Sequence, residues 1–256
     1  VALRIQLILA RAYARLDRHP RAEAIYRRWL PAVQAYADHS APLTERRIND
    51  FWEDYSAFLR DQGQFVQAHQ AVDAWIARAE AMPVDGTITR SDPDEDRALI
   101  RALRGKAEIY YQEQRHAESI GVLRKALELT TKAEGLSSLQ RAQLAGLLGR
   151  ALVHSGQPAA GQAMLLESID WHARVLGPDH PASFNPRIEL ANQLAIAGDY
   201  SRARDEYLLI RRQIAERFGP EHIKTGMVLN QLAALDYQQA RYADAADGFK
   251  AASEVF

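Results

Sequence analysis

The chain has 256 residues, of which 47% are hydrophobic and 25% charged, with a formal net charge of −1 and no cysteine. Such a composition belongs to a folded, water-facing protein. It excludes disulfides, thiolate catalysis and Cys-ligated metals, and it supplies no bulk field to draw in nucleic acid or an anionic membrane. The basic residues are 27 Arg and five Lys. A GC-rich genome explains that bias more simply than anion recognition does.

Apolar periodicity predicts helices over 1–16, 20–38, 43–61, 65–82, 93–113, 116–133, 138–154, 158–176, 181–197, 200–217, 222–239 and 242–256, and no convincing strand. The first is apolar nearly all round (Val1, Leu3, Ile5, Leu7, Ile8, Leu9), which predicts burial on both sides. With Arg4 and Gln6 inside it, it is too short and too polar for a membrane span, and it lacks the leader and cleavage site of a signal peptide. The chain opens in mid-helix and ends without a polar capping helix, so it is expected to be part of something longer, with end-to-end or first-helix association as a further expectation. Pro20 and Pro158 stand at first helical positions, while Gly63, Gly156 and Gly198 mark hairpin turns. Asp92-Pro93-Asp94-Glu95 reads as a helix start after a surface excursion over 83–92.

The dominant signal is a repeat. A small residue recurs as Ala22, Ala68, Ser119, Gly161, Ala203 and Ala245, at intervals of 46, 51, 42, 42 and 42. Twelve residues before each stands another: Ala10, Ser56, Ala107, Gly149, Ala191 and Ala233. Three residues before each stand His19, Phe65, His116, Pro158, Tyr200 and Tyr242; four residues after stand Tyr26, Val72, Leu123, Leu165, Tyr207 and Phe249. Small residues let the two helices of a hairpin approach closely. The large residue one turn further on fills the gap to the next hairpin. One hairpin cannot bury its own apolar stripe, so the units must stack.

Leu176-Gly177-Pro178-Asp179-His180-Pro181, Gly198-Asp199-Tyr200 and Leu229-Asn230-Gln231-Leu232-Ala233 resemble the tetratricopeptide repeat in its 42-residue kinesin-light-chain variety. The resemblance is strong over 138–256 and weaker over 1–137, where Asp17 or Gln114 replaces the turn glycine. It implies an all-α, right-handed α-solenoid of about six antiparallel helix pairs, spanning 1–256 as a single array. It also implies binding of proteins or peptides in a concave groove lined by the first helix of each pair. In bacteria such arrays are often joined to kinases, NTPase switches or protease-like domains. A sensor module that controls such an attached domain is therefore the alternative function. A cytoplasmic location is expected, with the periplasmic part of a membrane-anchored protein as the alternative.

Positions 13, 10 and 6 before each turn give the lining stripe. Its candidate binding residues are Arg101, Arg104, Glu108, Gln143, Arg150, Asn185, Asn192 and Asn230, with Tyr111 and Tyr237 at the margin. An Asn amide can clamp a peptide backbone with one donor and one acceptor, and Arg can hold carboxylates bidentately. The expected ligand is thus an extended or acidic protein or peptide segment. A chaperone-tail clamp is not expected, because Ile188 and Gly226 stand where it would need Lys.

Other motifs read as structural. His180 and His222 recur at the repeat period, which favours a turn-closing role over metal or pH sensing. Asp92, Asp94 and Asp96 alternate as in a calcium loop, but Arg97 stands where Gly is needed, and a helix N-terminus explains them better. No phosphate-cradling loop or nucleophile elbow occurs. No catalysis, cofactor or metal is expected.

Overall fold

The computed structural model describes residues 2–35, 45–81, 93–132 and 138–255. Among the described residues there are twelve α-helices, one 3₁₀ turn and no strand. Residue 92 and the predicted excursion over 83–92 lie outside them, as do the side chains of Asp94, Asp96 and Arg97. The architecture is an all-α helical repeat of the solenoid class. It falls into two compact units, Val1–Leu136 and Ser137–Phe256.

The first unit holds three hairpins: α1 (Ala2–Arg15) with α2 (His19–Gln34), α3 (Glu45–Asp61) with α4 (Phe65–Ala81), and α5 (Pro93–Gln112) with α6 (His116–Lys132). The second also holds three: α7 (Ser138–His154) with α8 (Pro158–Leu176), α9 (Phe184–Ile196) with α10 (Tyr200–Phe218), and α11 (Ile223–Gln238) with α12 (Tyr242–Ser253). Within each unit the first helices lie side by side, α3 touching α1 and α5, and α9 touching α7 and α11.

The recurrent residues occupy the positions their chemistry requires. His19, Phe65, His116, Pro158, Tyr200 and Tyr242 each open the second helix of a hairpin. All twelve small residues are buried. Gly149 and Gly161 show why they are small: a Cβ on Gly161 would lie 2.7 Å from the Gly149 carbonyl oxygen, and one on Gly149 would lie 2.9 Å from the Gly161 oxygen. Four residues on, Tyr26, Val72, Leu123, Leu165 and Tyr207 are buried, each contributing roughly 1.5–3 kcal/mol by its removal from water. Phe249, with no described helix beyond it, is 39% exposed.

All six hairpins turn through a left-handed residue at the same register: Asp17, Gly63, Gln114, Gly156, Gly198 and Ala240, with φ between 55° and 83°. Glycine adopts that conformation without strain, whereas Asp17, Gln114 and Ala240 hold it against a steric cost. Between hairpins, the imidazoles of His180 and His222 act as helix caps. His180 Nδ1 accepts from the Ala182 N–H and His222 Nδ1 from the Lys224 N–H, each at 3.2 Å.

Two expectations are corrected. The helix predicted over 181–197 begins as a 3₁₀ turn, Pro181–Ser183, and becomes α-helical only at Phe184. Pro186 has no N–H to offer the Ala182 carbonyl, and its ring crowds that oxygen; α11, with Val228 in register, starts directly after His222. The first helix is covered on one side only. Leu3 and Leu7 are buried, but Ile5 and Ile8 are more than half exposed, because among the described residues α1 packs on α2 and α3.

Candidate peptide-binding faces

In the first unit the candidate arginines are already paired. Arg101 donates from Nε to Glu53 and from Nη2 to Asp50, both at 3.0 Å, and Arg104 donates to the other oxygen of Glu53. Arg60 holds Glu108, and Arg47 reaches Asp50 at 3.4 Å. Burial opposes the charge on Arg101, yet the bonds and attraction of Glu53 and Asp50 prevail and raise its pKa above the ordinary value. The guanidinium also lies 5.9 Å over the Trp75 ring, whose Nε1 donates to Asn49. The carboxylates expected to come from an acidic ligand are instead the chain's own. The small cavity here, about 120 Å³, is lined by Arg60, Arg101, Arg104, Glu53 and Glu108, whose charges offset one another.

Further along the same register, Asp54 is bound by Arg11 Nε at 2.7 Å, across from α1 to α3. Burial pushes the Asp54 carboxyl up to about 6 despite Arg11, and Glu53 and Asp50 add to the rise. Arg11 is half exposed, and its hydrogen bond to Asp54 outweighs the opposing effect of burial and raises its pKa.

The second unit presents a different face. Asn185 and Asn230 are exposed on α9 and α11, Asn192 is half-buried between them, and Gln143 and Arg150 stand half-buried on α7. Apolar side chains are interleaved with these amides: Ile196, Met227 and Tyr237 are each more than half exposed. The Asn192 Oδ1 accepts from the Tyr207 hydroxyl, which fixes the amide and directs its NH₂ away from that bond. Burial, and then the Glu189 charge, raise the Tyr207 pKa, so the phenol stays a donor. At the margins, Tyr111 packs against His116 and Tyr237 against Tyr242, with ring centroids 5.1 and 5.3 Å apart. In each case a tyrosine at the end of one helix covers the first residue of the next.

Asn192 also borders a cavity of about 250 Å³ within this unit. Helix α9 adds Glu189, Gln193 and Ile196, and α11 adds Gln231, Ala234 and Gln238, with His154 from α7. The stripe counted from the sequence includes Asn192 and Ala234 but misses the rest. His154, Ile196 and Gln238 stand two residues before their turns, and Glu189 and Gln231 stand nine before. A second count at those offsets is the sequence signal that reaches them.

Among the described residues, no group of three or more His, Asp and Glu side chains could hold a metal ion, and no helix is long and apolar enough to cross a membrane.

No family model matches the chain, and no curated protein matches it. Solved structures do. BtubC (BKLC) from P. vanneervenii is 14% identical, with 100% of this chain and 91% of that chain covered and a TM-score of 0.67. The nearly identical TPR-like repeats of a Podosopora anserina kinesin light chain candidate are 17% identical over 80% of this chain and 92% of that one, with a TM-score of 0.59. NprR in complex with its cognate peptide NprX is 14% identical over 100% of this chain and 67% of that one, with a TM-score of 0.62. These likenesses, together with the register of small residues and left-handed turns, show that the chain has the fold of a tetratricopeptide-type repeat protein.

Proposed function

We propose that this chain is a non-catalytic scaffold that binds an extended protein or peptide segment on the first-helix face of its second unit. One observation carries the reading: Asn185, Asn192 and Asn230 share that face with the exposed side chains of Ile196, Met227 and Tyr237. A peptide backbone needs donors and acceptors at intervals, and its side chains need apolar contacts between them. A face made of both kinds serves an extended chain better than a folded surface. NprR, of like fold, is complexed with a peptide, which supports the same use here. The charge-balanced face of the first unit is less suited to an acidic ligand, because binding would have to displace Asp50 and Glu53 from Arg101.

The test is to select peptides from a random display library on the purified chain and titrate them against the double variant Asn192→Ala/Asn230→Ala. Selected peptides should lose most of their affinity for a variant that melts like the parent. Undiminished binding by a folded double variant contradicts the reading.

A second reading rests on the exposed Ile5 and Ile8 of α1. An apolar row of that kind favours association through the first helix. Light scattering that shows a monomer across a wide concentration range counts against it.

A further inference from the structure

The cavity beside Asn192 has a chemistry of its own. At about 250 Å³ it is below the roughly 300–1,000 Å³ of pockets that enclose drug-sized ligands. It suits one side chain. Glu189 is the single carboxylate that lines it, and neither Lys nor Arg does. The Glu189 side chain is only 13% exposed. Its partners are the Gln193 amide at 3.5 Å and His154 Nε2 at 3.8 Å, both at the limit of useful contact. A carboxylate so shielded from water interacts strongly with any cation that reaches it.

The repeat supplies its own control. Nine residues before the turn, α7 has Leu147 and α11 has Gln231, so the hairpin does not need an acid at this position. The equivalent residue of α3 is Asp54, and there the chain provides a guanidinium, Arg11, hydrogen-bonded at 2.7 Å. Arg150 stands in register with Arg11, but it does not line the cavity and is itself engaged. Glu189 thus matches Asp54, whose carboxylate is met by an arginine from the neighbouring first helix, while no Lys or Arg lines the cavity beside Glu189.

We propose that this cavity receives a basic side chain, arginine or lysine, from the bound segment, with Glu189 as its counter-ion and Asn192 and Gln231 beside it. The inference rests on the peptide-binding reading and names the side chain that the face selects. It replaces the acidic segment expected from the sequence with one carrying a positive charge at this point.

The test uses small probes and the whole chain. N-acetyl-arginine N-methylamide is titrated into the protein and followed by backbone amide NMR. Its neutral isostere, the citrulline compound, and glycinamide, which carries only an α-ammonium, are titrated in parallel. The arginine probe should shift the signals of α9 and α11 around Glu189 and Gln231. It should bind about ten-fold more tightly than citrulline and lose about ten-fold in Glu189→Gln, as befits one charge-assisted hydrogen bond. Equal binding of citrulline, unchanged binding in Glu189→Gln, or shifts confined to other helices overturn the proposal. Glycinamide binding as tight as arginine overturns the side-chain assignment in favour of a chain N-terminus. If Glu189→Gln does not fold, Gln238→Lys, an exposed position on the same cavity, should block the arginine probe; failure to block it overturns the proposal. Loss of selected peptides in Asn192→Ala/Asn230→Ala but not in Glu189→Gln retains the binding face and removes the cation seat. Arginine binding without any effect of the asparagine variants does the reverse.

Discussion

The backbones of Gly149 and Gly161 approach so closely that neither residue has room for a methyl group: a Cβ on Gly161 would stand 2.6 Å from Val153 Cγ2 and 2.7 Å from the Gly149 carbonyl oxygen. The carbonyl cannot rotate away, because it belongs to the helix. Gly161→Ala is therefore expected to push α7 and α8 apart and to destabilise the chain by about 1–3 kcal/mol. Urea unfolding checks this. Gly121→Ala, where an added Cβ meets nothing within 4 Å, is the control and should not destabilise.

The hairpin turns predict a change in the other direction. Gln114 and Ala240 hold φ near +60° with a Cβ in place. Gln114→Gly and Ala240→Gly should each stabilise by about 1 kcal/mol, less the added flexibility of the unfolded chain. Gly198→Ala, at φ +83°, should destabilise by a similar amount. Thermal melting of the three variants gives the signs directly.

Two buried groups give opposite pH dependences in the two units. Asp54 is raised to about 6, mainly by burial. Its contribution to stability is fully present below its unfolded value near 3.8 and is lost as pH rises through 6. His172, buried on α8, is lowered by burial and holds its Nδ1 against the Ser168 carbonyl at 2.8 Å. Its contribution is present above 6.5 and is lost as pH falls through the depressed folded value. Between pH 7 and 5, Asp54→Asn should remove a gain in stability and His172→Ile should remove a loss. Ile is the natural replacement, since Ile214 stands in register one repeat on. Melting curves of both variants at the two pH values test the signs.

In the first unit, Arg101→Ala leaves Asp50 and Glu53 facing each other, with less than a third of either side chain exposed. A destabilisation of about 1–3 kcal/mol is expected. Adding Glu53→Gln should recover part of it, because it removes one of the two like charges that Arg101 no longer bridges. A double-mutant cycle by urea unfolding separates the pair from its surroundings.

What was legible in the sequence was whatever the repeat enforces. Gly161 and its five counterparts had to be small, Tyr200 and its counterparts had to open a helix, and Gly198 had to turn left-handed, so the register could be read off directly. The start of α9 departs from the predicted 181 because Pro186 acts on a carbonyl four residues earlier, which apolar periodicity does not register. The exposure of Ile5 and Ile8 depends on what stands next to α1, which no local pattern encodes. The pairing of Arg101 with Asp50 and Glu53 joins two helices about fifty residues apart. Equal spacing within each helix placed both partners on one stripe, but it could not show that they would meet. The Glu189 cavity uses offsets of nine and two from the turn, beside the stripe at 13, 10 and 6, so that stripe does not reveal it.

The most direct test of a binding face on the second unit is backbone NMR with a display-selected peptide. Shifts should concentrate on α9 and α11 around Asn185, Asn192 and Asn230, and should spare Leu166 and Leu208, which stand exposed on α8 and α10. Shifts centred on α8 and α10, with the asparagine helices unmoved, would contradict the account.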